Sequence, residues 1–230
     1  MTEKQWLKSA NAETMADYYD ARFTERKARL YMLACCRRHP EHITSAAVAN
    51  MVKLLAAHYA DLRKPDKLFD SPAIRKAYTA LETYASSTQD SATRGLAFGV
   101  VAAAEPVSVM KRLNEAFPYL VFSCIHDVAV GVSPNRENTK AESKVQAALL
   151  REVLGNSFQP VTPEPAWLTD TVLALARQIH ESEDFTTMPI LADALQDAGC
   201  ENEAVLSHCR ADEVTHVRGC WVLDSLLGKA

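Results

Sequence analysis

Apolar residues in this chain recur at intervals of three and four. Val48, Met51, Val52, Leu55, Tyr59 and Leu62 make the cleanest run, and that period puts them on one face of an α-helix. Ile74, Tyr78 and Leu81, continued by Tyr84 or Ala85, form a second stripe. It follows Ser71-Pro72, a helix cap with proline at the first helical position. Val145, Ala148, Leu149 and Val153 form a third stripe, closed by Gly155-Asn156. Val172, Leu175, Ala176 and Ile179 form a fourth. Shorter helices are predicted over roughly 3–8, from the cap Asn11 to about 20, and from Thr24 to a stop at Pro40. Thr187, Asn202 and Thr215 stand where three more helices would begin. The last of these is expected to run through HVRGCWVLDSLLG and close at Gly228.

Other stretches refine this picture. Residues 119–132 have the β-branched and aromatic content of a strand, but their neighbours all read as helical, so a buried helix is expected. ATRGLAFGVVAAA places Gly95 and Gly99 on one face, one turn apart, which suits a close helix–helix crossing. A further helix is expected over 107–117, a polar linker over 64–70 and a loop over 133–138. The expected fold is all-α, a multi-helix bundle or helical array of roughly nine to eleven helices. NSFQPVTPEPAW is rich in proline and is the best linker candidate. The chain is read as an N-terminal helical region at 1–155, a proline-rich linker at 156–166 and a compact C-terminal helical subdomain at 167–230, packed as one globular unit.

Composition narrows the function classes. At 230 residues and 48% hydrophobic, the chain buries enough surface to fold without disulfide or metal. The net charge of −4 argues against a dedicated nucleic-acid binder, so no nucleic-acid partner is expected. Arg22, Arg26, Lys27, Arg29, Arg37 and Arg38 cluster near the N-terminus and read as a solvated helix face. The N-terminal segment has no apolar signal core, and no stretch is long enough to span a membrane, so a cytoplasmic location is expected. Six cysteines without regular spacing do not make a secreted disulfide scaffold.

Candidate chemistry gathers at the C-terminal end. Cys200, His208, Cys209, His216 and Cys220 all fall in the last 31 residues. His216 and Cys220, four apart on a predicted helix, would share a face. A helical hairpin could add His208 and Cys209, giving a Cys₂His₂ set soft enough for zinc. Against this, no CxxC knuckle is present, and adjacent His208 and Cys209 point about 100° apart on a helix. The bland alternative makes the cysteines small core residues and the histidines surface or capping groups. On that reading no cofactor is expected. Arg210, Arg218 and Trp221 are candidates for contact with a partner, since arginine and tryptophan dominate interaction hot spots. Cys35, beside Arg37 and Arg38, is a candidate reactive thiol. Cys124 and His126 would face one another only on a strand. No GxSxG, HExxH, phosphate-binding loop or GxGxxG motif occurs.

MPILADALQDAGCENEAVLSHCR, followed by HVRGCWVLDSLLGK, resembles the C-terminal end of a large uncharacterised family of planctomycete proteins. The resemblance extends to Trp6-Leu7, Arg26 to Leu30, Cys35 to Arg38 and Ala147 to Asn156. Residues from about 45 to 135 do not take part. It implies a shared fold unit and maps the family motif onto His208, Arg210, His216, Arg218, Gly219, Cys220 and Trp221. It brings no activity or cofactor. The first functional expectation is a non-enzymatic cytoplasmic helical module that interacts with, or regulates, an unknown protein partner. The alternatives are a metal-binding protein or metalloenzyme using His208, Cys209, His216 and Cys220, and a thiol-dependent enzyme or redox sensor built on Cys35 or Cys220.

Overall fold

The helical periodicity is realised along the chain. The computed structural model describes residues 1–19, 24–60, 71–104, 117–133, 135–211 and 215–229, and among these it contains twelve α-helices and no strand. They are α1 (Glu3–Lys8), α2 (Ala12–Tyr19), α3 (Glu25–Arg37), α4 (Ala46–Ala60), α5 (Pro72–Ser87), α6 (Ser91–Ala104), α7 (Phe117–Gly131), α8 (Arg136–Leu154), α9 (Asp170–Ser182), α10 (Met188–Asp197), α11 (Glu203–Arg210) and α12 (Trp221–Leu226). The all-α expectation holds, with one helix more than the upper bound. The ambiguous stretch 119–132 is helical, as α7. The helix expected over 107–117 falls outside the described residues up to 116, as does the linker at 64–70. No described helix is long and apolar enough to cross a membrane.

The chain forms two compact units, Met1–Leu150 and Arg151–Ala230. The division falls ahead of the proline-rich stretch, which belongs to the second unit. Trp167 is buried in that unit's core, and Val161 packs against it. α8 runs across the division, and its last turn, Arg151 to Leu154, is part of the second unit.

In the first unit α3 is a central helix rather than a surface one. Arg26, Lys27 and Arg29 are buried, so these three do not form the solvated basic face expected here, whereas Arg37 is exposed and Arg38 half-buried. The cause is packing: α3 meets α4, α6 and α7, and little of it is left for water. Arg29 donates to the carbonyl of Ala103 at 2.8 Å, and its guanidinium lies 5.7 Å from the Tyr59 ring centre. Its charge is thus met by a carbonyl and an aromatic face while its stem packs like an apolar side chain. Arg22 lies outside the described residues.

Two other stripes shift slightly from their predicted register. α5 buries Ile74, Ala77, Leu81 and Ala85, leaving Tyr78 and Tyr84 half-buried. α8 buries Ala147, Leu149, Leu150 and Val153, while Ala148 is exposed. It also starts earlier than expected, at Arg136, inside the stretch read as a loop. Asn135 is the reason. Its side chain accepts the N–H groups of Glu137 and Asn138 at 3.1 and 3.0 Å, supplying the cap.

Glu142, buried on α8, is held from α3 and its exit. Arg38 Nη1 donates to both carboxylate oxygens at 3.1 Å, and His39 Nε2 lies 3.3 Å away. The bond to Glu142 raises His39 above its ordinary pKa, against burial and the Arg38 charge, with Glu41 assisting. Burial would raise Glu142, but His39 and Arg38 hold it below the usual carboxylate range. Folded His39 therefore binds its proton more tightly than unfolded His39. Its contribution is complete below about pH 6.5 and is lost as pH rises through the higher folded value. Glu142 contributes above about pH 4.5 and loses its share as pH falls through its depressed folded value. Urea denaturation should therefore find His39→Gln more damaging at about pH 5.5 than at about pH 8.5. Equal losses at the two values would contradict this coupling.

Candidate metal centre

The second unit is built from four helices with defined ends. Thr169 caps α9 by accepting the Val172 N–H at 3.3 Å. Glu183 ends α9 in the left-handed conformation, with φ of 56°. α10 stops before Gly199, whose φ of 85° suits glycine, and Asn202 caps α11 from the Val205 N–H at 3.2 Å. Apolar faces of α9 to α12, including Ile179, Leu191, Leu195, Leu206 and Leu223, make one core.

The last helix is shorter than expected. It spans only Trp221–Leu226, with Cys220 at its N-cap. Gly219, at φ 99°, turns the backbone just ahead of it, so the helix cannot extend back to His216. His216 and Cys220 therefore do not share a helix face. They are brought together by a turn, and that turn is pinned from the side. Arg218 donates through Nε and Nη2 to Glu183 Oε1 at 3.1 and 2.8 Å.

The turn delivers its side chains to two others. Ligand-capable atoms of Glu152, His208, His216 and Cys220 all lie within 4.8 Å of one another. His208 Nε2 is 3.3 Å from Cys220 Sγ and 3.2 Å from Glu152 Oε2. His216 Nδ1 is 3.2 Å from Glu152 Oε1, which also accepts the Val217 N–H at 3.3 Å. Glu152 comes from the last turn of α8 and His208 from α11. The site is secluded: side-chain exposure is 2% for Glu152, 6% for His216 and 12% for His208, and Cys220 is fully buried. The Trp221 ring stands 5.1 Å from that of His208, and Phe185 stands 6.0 Å from His216. Gly155 makes room for Trp221. It leaves α8 at φ 68°, and a Cβ there would come within 3.1 Å of the indole.

Charge at the site is unevenly matched. Burial pushes the Glu152 carboxyl up, but contacts with His208 and His216 outweigh it and hold the group below its ordinary value. The buried carboxylate is thus held by its contacts with two imidazoles. Burial, and then the Glu152 charge, push the Cys220 thiol well above its ordinary value. Two buried polar atoms lack a hydrogen-bond partner: Glu152 Oε2, close to His208 but without a well-directed bond, and His216 Nε2.

Cys209, grouped by sequence with His208, His216 and Cys220, is not in the cluster. On α11 it points away from its neighbour His208 into the apolar core, and burial pushes its thiol up to about 12. Arg210 Nη2 donates to Asp193 and Gln196, both at 2.7 Å, and Arg218 is committed to Glu183. Trp221 is half-buried beside His208. Cys35 is fully buried, and burial raises its pKa, opposite to the lowering expected from its arginine neighbours. Cys124 is buried while His126 is exposed, so the helix keeps that pair apart.

Glu152 is the functional candidate that sequence reasoning missed. Its signal was present. It lies three residues beyond Leu149 and seven beyond Val145, on the predicted apolar face of α8, where an acid needs a partner. No protein-family model, no curated protein and no solved structure matches this chain. The reading of the site therefore rests on its own geometry.

Proposed function

We propose that the second unit binds a divalent transition-metal ion, zinc first among them, through Glu152, His208, His216 and Cys220. The observation that carries this is the convergence of one thiol, two imidazoles and one carboxylate from separate parts of the unit, all within 4.8 Å. Around a tetrahedral zinc with bonds of about 2.0–2.3 Å, ligand atoms stand about 3.3–3.8 Å apart. The contacts of 3.2 and 3.3 Å made by His208 lie at or just below the short end of that range, and the four ligand atoms as a set lie within 4.8 Å of one another. Sulfur and nitrogen donors favour zinc over calcium or magnesium, which take oxygen.

Energetics supports the same reading. A buried polar atom without a partner costs about 1–3 kcal/mol. An ion among these four side chains would give Glu152 Oε2 the partner it lacks. It would also draw the proton from Cys220, as zinc does from a coordinating thiol. The reading as an interaction module built on Arg210, Arg218 and Trp221 has less support, because these side chains are engaged within the unit.

Zinc titration tests the proposal on full-length protein carrying no histidine tag, stripped with a chelator and dialysed. Retention of about one zinc per chain, with dissociation below about 1 µM, is expected. Retention below about one-tenth of an equivalent would overturn it.

A further inference from the structure

We infer that the ion at this centre is a closed structural clasp, which leaves no coordination position for a substrate; the inference rests on the metal-binding reading above. Catalytic zinc sites keep one position open to water and hold the ion with three protein ligands, whereas structural sites spend all four positions on protein. Here four protein donors are in place. Their surroundings are closed as well. None of the four side chains exceeds 12% exposure, and Trp221 and Phe185 stand beside the two imidazoles.

The topology shows what the clasp would hold. Glu152 ends α8, His208 lies on α11, His216 is in the following turn and Cys220 starts α12. One ion would tie these four segments at a single point. α11 has eight residues and α12 has six, both too short to be stable without tertiary support. A unit of roughly 80 residues has a small core, so one crosslink is a large part of its stability. The carboxylate is oriented for this role, since Glu152 Oε1 is fixed by the Val217 N–H and the His216 ring while Oε2 faces His208.

Cobalt(II), a spectroscopic stand-in for zinc, provides the test on the full chain. The clasp predicts an intense visible spectrum of four-coordinate cobalt that azide and imidazole leave unchanged. It also predicts a rise in the unfolding midpoint on zinc addition that grows with free zinc, as ligand linkage requires. Amides of residues 205–211 and 216–226 should gain hydrogen-exchange protection on zinc addition, and His208→Ala should lose both the midpoint shift and the protection. Cobalt binding with a spectrum that azide alters would overturn the clasp and leave the metal reading standing. So would zinc binding without change in midpoint or protection. Failure of both metals to bind would overturn the two together.

Discussion

Cys220→Ala is expected to weaken zinc binding by about a hundredfold or more, because it would remove one of the four proposed ligand atoms outright and even partners of ligands are worth about 10–100-fold. Cys209→Ala, although it alters a cysteine only 11 residues away, should leave the affinity within about threefold. The contrast follows from where the two sulfurs point. Cys220 Sγ lies 3.3 Å from His208 Nε2, whereas Cys209 packs in the apolar core. His208→Ala and Glu152→Gln should resemble Cys220→Ala. Competition against a chromophoric chelator measures all four. Equal losses for the two cysteine variants, or none for either, would remove the assignment of Cys220.

Gly95→Ala gives the largest expected change in stability, and its sign is informative. Glycine inside a helix is worse than alanine by about 1 kcal/mol, so propensity alone predicts a more stable protein. Packing predicts the reverse. A Cβ on Gly95 would strike the carbonyl oxygen of Asp127 and come within 2.7 Å of Gly131 Cα, both backbone atoms of α7. Side chains can turn aside, but backbone in the most extensive helix contact of the unit cannot yield cheaply. Overpacking of this kind costs about 1–3 kcal/mol and occasionally more, so after the propensity gain of about 1 kcal/mol a net loss of about 1–2 kcal/mol is expected for so close a backbone approach. Chemical denaturation followed by circular dichroism decides it. A stabilised Gly95→Ala variant would mean that α6 and α7 do not cross at these glycines.

Much of the fold was legible because burial follows period. The stripes from Val48 to Tyr59 and from Val172 to Ile179 lie on helices where the spacing put them, and Gly95 marked the close crossing it suggested. What failed was governed by contacts that spacing does not contain. Arg26, Lys27 and Arg29 look like a wet face until α4, α6 and α7 surround the helix that carries them. The last helix looked continuous from His216, because nothing local announces that Gly219 adopts a positive φ.

The candidate site was half legible for the same reasons. His208, His216 and Cys220 were visible as metal-binding side chains crowded into the end of the chain. The helix drawn through them was wrong, and the turn that replaced it still brings His216 and Cys220 to one place. The fourth member lay far upstream. Glu152 precedes His208 by 56 residues, so only the fold could join them, although an acid on an apolar helix face hinted that a partner was needed.

We propose that one metal ion is held by Glu152, His208, His216 and Cys220. X-ray absorption at the zinc edge of the loaded, untagged protein tests it most directly. The account predicts four ligand atoms per zinc, one sulfur at about 2.3 Å and three nitrogen or oxygen atoms at about 2.0–2.2 Å, with imidazole scattering beyond them. A zinc with no sulfur neighbour, or with six oxygen neighbours, would contradict it.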